Sequence, residues 1–165
     1  MFEAILSFLP RAISQGIPLL YGSTGEIVTE KSGHLNLGIP GIMCMGGACG
    51  CLALKIMSDG NLPPMLIVLI AILAAFLGGI LMGLIYSFLT VTLKANQNVT
   101  GLAMTTFGVG FGNFFGGSLI KLSGAEVPSI ALSSTSYYFH RPLFADNLGW
   151  FGDIFLSYGF MVYLA

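Results

Sequence analysis

Two acidic residues and a histidine recur at helical spacing in the first part of the chain. Glu26 and Glu30 are four residues apart, and His34 follows one turn further on, so a helix would place all three on one face. Because an ionised carboxylate is costly in an apolar environment unless it is hydrated or paired, the pattern favours one of two arrangements. The glutamates either form a solvated helix end with Lys31 or line an aqueous cavity. Catalysis is the interpretation that the pattern supports least.

The remaining reactive groups indicate no enzyme. The three cysteines, Cys44, Cys49 and Cys51, lie in one apolar stretch, where thiols behave as small hydrophobic groups and an odd count argues against a closed disulfide set. A metal site formed by them with His34 is not expected. The sequence contains no Gly-x-x-x-x-Gly-Lys-Ser/Thr loop for nucleotide phosphates and no nucleophile with its base. We therefore expect no catalytic residue, no metal and no cofactor, and any energy must come from another protein.

Aromatic side chains recur at near-helical spacing later in the chain. Phe107 and Phe111 are followed by Phe114 and Phe115, with the amide of Asn113 in the same neighbourhood. Aromatic faces with one hydrogen-bonding group could line a pocket for a flat base or a sugar ring. The alternative is a stripe that faces lipid or the protein core.

Composition identifies the elements that must position these residues. The chain has 165 residues, of which 55% are hydrophobic and 8% are charged, whereas soluble domains contain about 25% charged residues. Too few polar side chains are present to cover a water-exposed surface. The net charge of -1 also offers no electrostatic footprint for nucleic acid. The sequence therefore predicts a protein embedded in a lipid bilayer.

Charge-poor runs indicate how many helices cross that bilayer. A spanning helix needs about 20 mostly apolar residues. The predicted fold is an all-α, polytopic transmembrane bundle with four complete spans and a fifth that stops with the chain; the runs are Ile5 to Tyr21, Leu35 to Leu54, Pro64 to Leu93, Val99 to Ile120 and Ile154 to Ala165. We expect residues 1–165 to be one transmembrane domain, and the short last run suggests a truncated fragment.

A segment rich in glycine and proline separates the first two predicted spans. Between Gly33 and Gly41 a continuous helix would lose hydrogen bonds and rigidity, so we predict a break. Irregular backbone at membrane depth survives where protein or a water-filled cavity satisfies its polar groups, and in transporters it often borders the substrate path. Asn36 and Gly38 are the candidate path residues. The alternative is a simple interfacial turn.

Small residues recur on single helical faces in three of the spans. The fourth span carries Gly101, Thr105, Gly108 and Gly112 after Asn98; the third carries Gly79, Gly83 and Ser87, and the second Gly46 and Gly50. This small-xxx-small spacing is typical of closely packed membrane helices. We predict that these faces are helix contacts.

Two blocks of sequence resemble one family of transport proteins. The segment from Glu30 to Met43 reads Glu-Lys-Ser-Gly-His-Leu-Asn-Leu-Gly-Ile-Pro-Gly-Ile-Met and is similar to the signature of permease subunits of ATP-binding cassette importers for nucleosides and simple sugars. The block from Ala95 to Gly110 is similar to that family's next region, in the same order and at a similar distance. The resemblance extends from about Pro18 to the end of the chain and identifies it as the N-terminal half of such a permease.

The resemblance implies a function and a set of partners. The chain would belong to a multi-pass permease of the bacterial cytoplasmic membrane that works with a second permease subunit, ATPase subunits and an extracytoplasmic solute-binding protein. The nucleoside-importing branch fits best, with a purine nucleoside as the expected solute. A ribose-like sugar is the runner-up, and a passive channel or structural membrane subunit is the rival from another class.

Two residues depart from the family pattern. An aliphatic residue usually stands at the position of His34, and an acidic residue at that of Pro40. These differences leave the identity of the solute open. The loop that docks the ATPase would lie beyond the residues present here, and the six Lys and Arg residues do not settle which side of the membrane each loop faces. By resemblance, Lys31 and Lys94 lie on the cytoplasmic side.

Overall fold

The computed structural model describes residues 2–58, 62–115 and 158–165, and every regular element in these ranges is helical. The elements in chain order are α1 (Phe2–Lys31), α2 (Ile39–Ser58), α3 (Pro64–Ser87) with a π-helical turn at Phe88–Thr92, α4 (Gln97–Asn113) and α5 (Phe160–Leu164). The chain divides into two compact units, Met1–Thr24 with Ser133–Ala165 and Gly25–Leu132. The helices therefore agree with the all-α prediction.

Two of the described helices are long and apolar enough to cross a membrane. They are Ile39–Met57 and Pro64–Thr92, which correspond to the second and third predicted spans. Along the latter, large apolar side chains point outward: Phe76 is 66% exposed, Leu77 64% and Leu84 62%. An apolar surface this continuous is typical of a lipid or partner contact. The predicted total of four spans and a clipped fifth remains a prediction.

The larger unit is built around α2, which packs against both α3 and α4. Where the three helices meet, Met45, Met82, Tyr86 and Met104 form a buried cluster, and Met82 has no exposed surface. Methionine suits such a junction because its unbranched side chain fills irregular gaps. This cluster fixes the face of α2 that is turned toward each neighbour.

Small residues permit the close approach of α2 and α3. A Cβ atom added at Gly46 would lie 3.0 Å from the carbonyl oxygen of Ala75, and one at Gly50 would lie 3.2 Å from the Ala75 Cβ. The packing role predicted for this pair is confirmed. In α3 the small-residue spacing predicted the contact positions less accurately. The glycine in tight contact is Gly78, where an added Cβ would lie 2.8 Å from the Cys49 Sγ, while a Cβ added at Gly83 would meet no atom within 4 Å.

The turn between α3 and α4 sets where α4 begins. The chain leaves the π-helical turn through Lys94, which has a φ of 52°, and Asn96 caps the next helix. The Asn96 Oδ1 accepts hydrogen bonds from the backbone N–H groups of Asn98 (3.0 Å) and Val99 (3.2 Å), as an N-cap asparagine does. As a result, Gln97 is the first residue of α4.

Candidate functional site

The predicted break between the first two spans is present. Helix α1 ends at Lys31 and α2 begins at Ile39, and Gly33 turns the chain with a φ of +86°, a conformation that glycine adopts without steric cost. Pro40 lies in the first turn of α2, where its missing N–H would have had no partner within the helix. The irregular backbone is therefore confined to residues 32–38.

Side chains satisfy the backbone of the break. Asn36 is 5% exposed, and its Oδ1 accepts a 2.9 Å hydrogen bond from the Gly38 N–H. The backbone N–H of Asn36 donates to Glu26 Oε1 at 3.1 Å, and the carbonyl of Leu35 accepts from the Tyr86 hydroxyl at 2.8 Å. Helices α1 and α3, together with the side chain of Asn36 itself, thus hold the break in one conformation, as buried backbone polar groups require.

The two glutamates have different environments although both lie on α1. Glu30 is exposed, whereas Glu26 is half-buried and accepts the hydrogen bond from the break described above. The second carboxylate oxygen of Glu26 is buried and has no hydrogen-bond partner among the described residues. The structure therefore gives Glu26 a role as a cap for the break, which the helical spacing alone did not indicate.

The first residue of α4 reaches back to the break. Gln97 Oε1 accepts a 2.9 Å hydrogen bond from the Leu35 N–H, and Gln97 Nε2 lies 3.2 Å from His34 Nδ1. Because a backbone donor occupies the amide oxygen, the amide nitrogen must be the atom that faces the imidazole. Nδ1 then accepts, and a neutral His34 carries its hydrogen on Nε2. We refer to His34 and Gln97 together as the latch.

The remainder of the second sequence block packs directly on the first. A Cβ atom added at Gly101 would lie 2.8 Å from the Leu37 nitrogen, and one at Gly108 would overlap the carbonyl group of Gly41. The Thr105 hydroxyl donates a 2.7 Å hydrogen bond to the Leu37 carbonyl. We call this backbone-to-backbone contact the α2–α4 seam, and it confirms that the small-residue stripe of α4 is a packing face.

A cavity of about 360 Å³ lies beside the break. Asn36 and His34 line it together with residues of α1, the start of α2 and the end of α3; the others are Gly25, Thr29, Ser32, Ile39, Ile42, Gly83, Tyr86, Ser87, Thr90 and Val91. Neither Glu26 nor Glu30 is among these lining residues. Hydroxyl, amide and imidazole groups share the wall with apolar side chains, which contribute the larger part of its surface, and we call this space the break cavity.

The aromatic residues form a second, separate concavity on α4. Phe107 is 56% exposed, its ring centroid lies 6.4 Å from that of Phe111, and the two line an open groove of about 680 Å³ with Phe114. Phe111 also packs against the methionine cluster. Asn113 is exposed, and it is not one of the described residues that line this groove. The structure thus places Asn36 and Gly38 in one location and Phe107 and Phe111 in another.

Sequence reasoning missed several residues of the break cavity. Tyr86, Ser87 and Thr90 end the most apolar predicted span, and the hydroxyl of Thr90 donates to the Tyr86 carbonyl at 2.9 Å. A cluster of hydroxyl residues at the end of an otherwise apolar helix was the available signal. The π-helical turn that contains Thr90 gave no sequence signal, although such turns are frequent at functional sites.

Two helices of membrane-spanning length, a break before the first of them and a cavity beside the break are features of a helical membrane protein. Residues 9–165 match the family described as the permease component of branched-chain amino acid transport systems, and the chain belongs to that family. The resemblance noted in the sequence is thereby confirmed.

Two relatives carry names that specify a solute. One, from Haloferax volcanii, is provisionally named glucose ABC transporter permease protein TsgC13 and is 30% identical over 129 residues, which are 78% of this chain and 37% of that protein. The other is the guanosine ABC transporter permease protein NupQ of Bacillus subtilis, 29% identical over 109 residues, which are 64% of this chain and 33% of that protein. The match therefore covers about a third of each relative's length. No solved structure matches the chain.

Proposed function

We propose that the chain is part of a multi-pass permease subunit of an ATP-binding cassette importer in the cytoplasmic membrane. A solute-binding protein delivers a nucleoside, paired permease subunits enclose the path, and two ATPase subunits drive alternating access. The observation that carries this proposal is the family match over residues 9–165. In addition, the two sequence blocks that resemble the family pack against each other at the break. The permease itself performs no covalent chemistry.

The geometry of the break supports a position on the solute path. Irregular backbone in a membrane protein needs protein or water to satisfy its polar groups, and here Asn36, Glu26 and Tyr86 do so next to a cavity whose wall carries both polar and apolar groups. Asn36 and Gly38 therefore stay our candidates for the path. An interfacial turn, the other interpretation of this segment, would not require a cavity at its side.

The relatives support a nucleoside or a simple sugar as the solute. We favour a purine nucleoside because the exposed ring of Phe107 and the neighbouring Phe111 offer aromatic surface on the groove of α4. Stacking of a base on an aromatic ring contributes about 1–3 kcal/mol in single-stranded nucleic-acid binding. A sugar is the second candidate, since one relative is named for glucose and sugars are recognised through hydroxyl hydrogen bonds.

Uptake by the assembled complex tests this proposal. We expect ATP-dependent uptake of labelled guanosine or adenosine that other nucleosides inhibit and ribose does not. Inhibition by ribose alone would replace the nucleoside with a sugar. As a control, the lysine of the ATPase phosphate-binding loop is substituted. Uptake that continues after this change would identify a passive channel instead of an importer.

We also propose four complete spans and a fifth that begins near the end of the chain. In this arrangement the ends of α2 and α3 face opposite sides of the membrane. Cysteines introduced at Ser58 and Asn98 should therefore react with a membrane-impermeant reagent from opposite sides. Asn98 is chosen because it is exposed, whereas Gln97 is half-buried and hydrogen-bonded. Labelling of both from the same side would contradict the arrangement.

A further inference from the structure

Four of the five hydroxyl groups that line the break cavity share one hydrogen-bonding state. Thr29 donates to the Gly25 carbonyl at 2.9 Å, Ser32 to the Thr29 carbonyl at 2.6 Å and Thr90 to the Tyr86 carbonyl at 2.9 Å. Tyr86 likewise donates to Leu35. Since each of these four hydroxyl hydrogens is used by a backbone carbonyl, the four oxygens keep only acceptor capacity. The wall of the cavity therefore presents a set of hydrogen-bond acceptors.

The imidazole of His34 adds a donor to this wall. The latch fixes Nδ1 as an acceptor from Gln97, so the neutral ring has its N–H at Nε2. Among the described residues, Nε2 takes part in no hydrogen bond. The side chains of Asn36 and Ser87 also line the cavity, and an amide and a hydroxyl group can donate as well. The cavity thus combines acceptors with donors. A ligand hydroxyl group, which donates one hydrogen and accepts others, matches both.

Size, charge and apolar surface narrow the ligand further. A volume of about 360 Å³ lies at the lower end of the roughly 300–1,000 Å³ that is usual for small-molecule sites. No Lys, Arg, Asp or Glu is among the described residues that line it, so a zwitterionic amino acid or a phosphorylated sugar would lose hydration without gaining a counter-charge. Ile39, Ile42 and Val91 supply apolar surface for the C–H faces of a ring.

We propose that the break cavity binds the hydroxylated ring of the solute, which is the pentose of a nucleoside or the ring of a simple sugar. This inference rests on the proposed function and adds a location and a recognised chemical group to it. It also accounts for relatives named for glucose and for guanosine, because both molecules carry such a ring. The base of a nucleoside would make its contacts elsewhere.

Protection of an introduced cysteine tests this assignment. In the assembled complex, the native Cys44, Cys49 and Cys51 are first replaced by alanine. Ser87→Cys then reports on the break cavity, and Thr106→Cys reports on the aromatic groove. We expect the transported nucleoside to slow alkylation at position 87 several-fold, while the free nucleobase does not. Active uptake without protection at position 87 would overturn the assignment, and so would equal protection by the free nucleobase.

A matched pair of threonine variants provides the second measurement. Thr90→Val removes a hydroxyl of the cavity, and Thr24→Val removes one outside it; both hydroxyls donate to the carbonyl four residues earlier, at 2.9 and 2.8 Å. We expect Thr90→Val to lower uptake several-fold at unchanged expression and Thr24→Val to leave it unaltered. Equal effects would overturn the assignment. Failure of the importer proposal is recognised separately, as absence of ATP-dependent uptake by the unmodified complex.

Discussion

The two sides of the break segment use glycine in opposite ways. On the α2–α4 seam, a Cβ atom added at Gly101 would lie within 3.0 Å of two backbone nitrogens, and one at Gly108 would overlap the backbone of Gly41. On the side of the break cavity, Gly25 and Gly83 have no atom within 4 Å of such a position. One set of glycines permits close contact between helices, and the other leaves space. Glycine spacing alone does not distinguish these roles.

The largest effect is expected from adding a side chain to the seam. Gly108→Ala places a methyl group against the Gly41 carbonyl, and because both partners are backbone, neither can move without shifting a helix. Overpacking of this kind costs about 1–3 kcal/mol in well-packed cores. We expect a clear fall in the unfolding temperature of the detergent-purified permease, measured by the fluorescence-detected elution of folded protein after heating.

A glycine outside the seam supplies the control for this experiment. Gly47 on α2 is exposed and has no atom within 4 Å of an added Cβ. Since alanine is the better helix former by about 1 kcal/mol, Gly47→Ala should be neutral or slightly stabilising. If both alanine variants unfolded at the same temperature, the proposed distinction between glycines at close helix contacts and glycines in open space would be wrong.

An intermediate effect is expected at the residue where the two sides meet. Asn36→Leu removes the acceptor for the buried Gly38 N–H, and an unsatisfied buried donor costs about 1–3 kcal/mol. We expect reduced uptake by the assembled complex. Asn36→Ser also provides an oxygen that can accept from the N–H two residues on, without placing a second carboxylate beside Glu26, so it should restore the fold of the break. Recovery of the folded fraction without recovery of uptake would indicate that the amide itself contacts the solute.

Unchanged uptake in Asn36→Leu, at normal expression, would instead reduce this residue to part of an interfacial turn. The proposed path through the break would then lose its main residue. The break cavity would still be tested by the cysteine and threonine variants, which do not alter the hydrogen bond between Asn36 and Gly38.

The sequence was sufficient for features that depend on residues close together in the chain. Glycines and a proline between Gly33 and Gly41 predicted the break, and spacing in α4 predicted its packing face. Features that depend on the rotation of one helix relative to another were not accessible. The sequence could not show that Gly78, and not its neighbour Gly79, would lie against Cys49. It also could not show that Glu26 would accept a hydrogen bond from the backbone N–H of Asn36.

The candidate site shows the same limit. Asn36 lines a cavity as an aqueous path would require, and this could be anticipated from the cost of burying an unbonded amide. Phe107 and Phe111 proved to line another concavity, because the face of α4 that carries them is not the one that packs on the break. Which of two stripes on one helix faces a given neighbour is decided by contacts distant in sequence.

The smallest effect is expected at the latch, where His34 contacts Gln97 through a single hydrogen bond. His34→Leu removes the contact with Gln97 Nε2 but leaves the bond from the Leu35 N–H to Gln97 Oε1. Gln97→Leu removes both. Each hydrogen bond contributes about 0.5–1.5 kcal/mol in water-soluble proteins, and interhelical bonds in a membrane protein average about 0.6 kcal/mol. The histidine variant should therefore be the milder of the two.

A double-mutant cycle separates the two bonds of the latch. If the imidazole stabilises the fold only through its contact with Gln97, the effects of the two substitutions are not additive. Gln97→Leu should then cost less free energy of unfolding in the His34→Leu background than in the native sequence, by the value of the lost His34 contact. Strictly additive losses would show that His34 and Gln97 act independently and would remove the reason for assigning the imidazole hydrogen to Nε2. Because that hydrogen is a donor assigned to the break cavity, a coupled result also supports the hydrogen-bonding pattern proposed for the cavity. His34→Leu should then weaken the protection of position 87 by the transported nucleoside more than Gln97→Leu does, since loss of Gln97 leaves the imidazole in place.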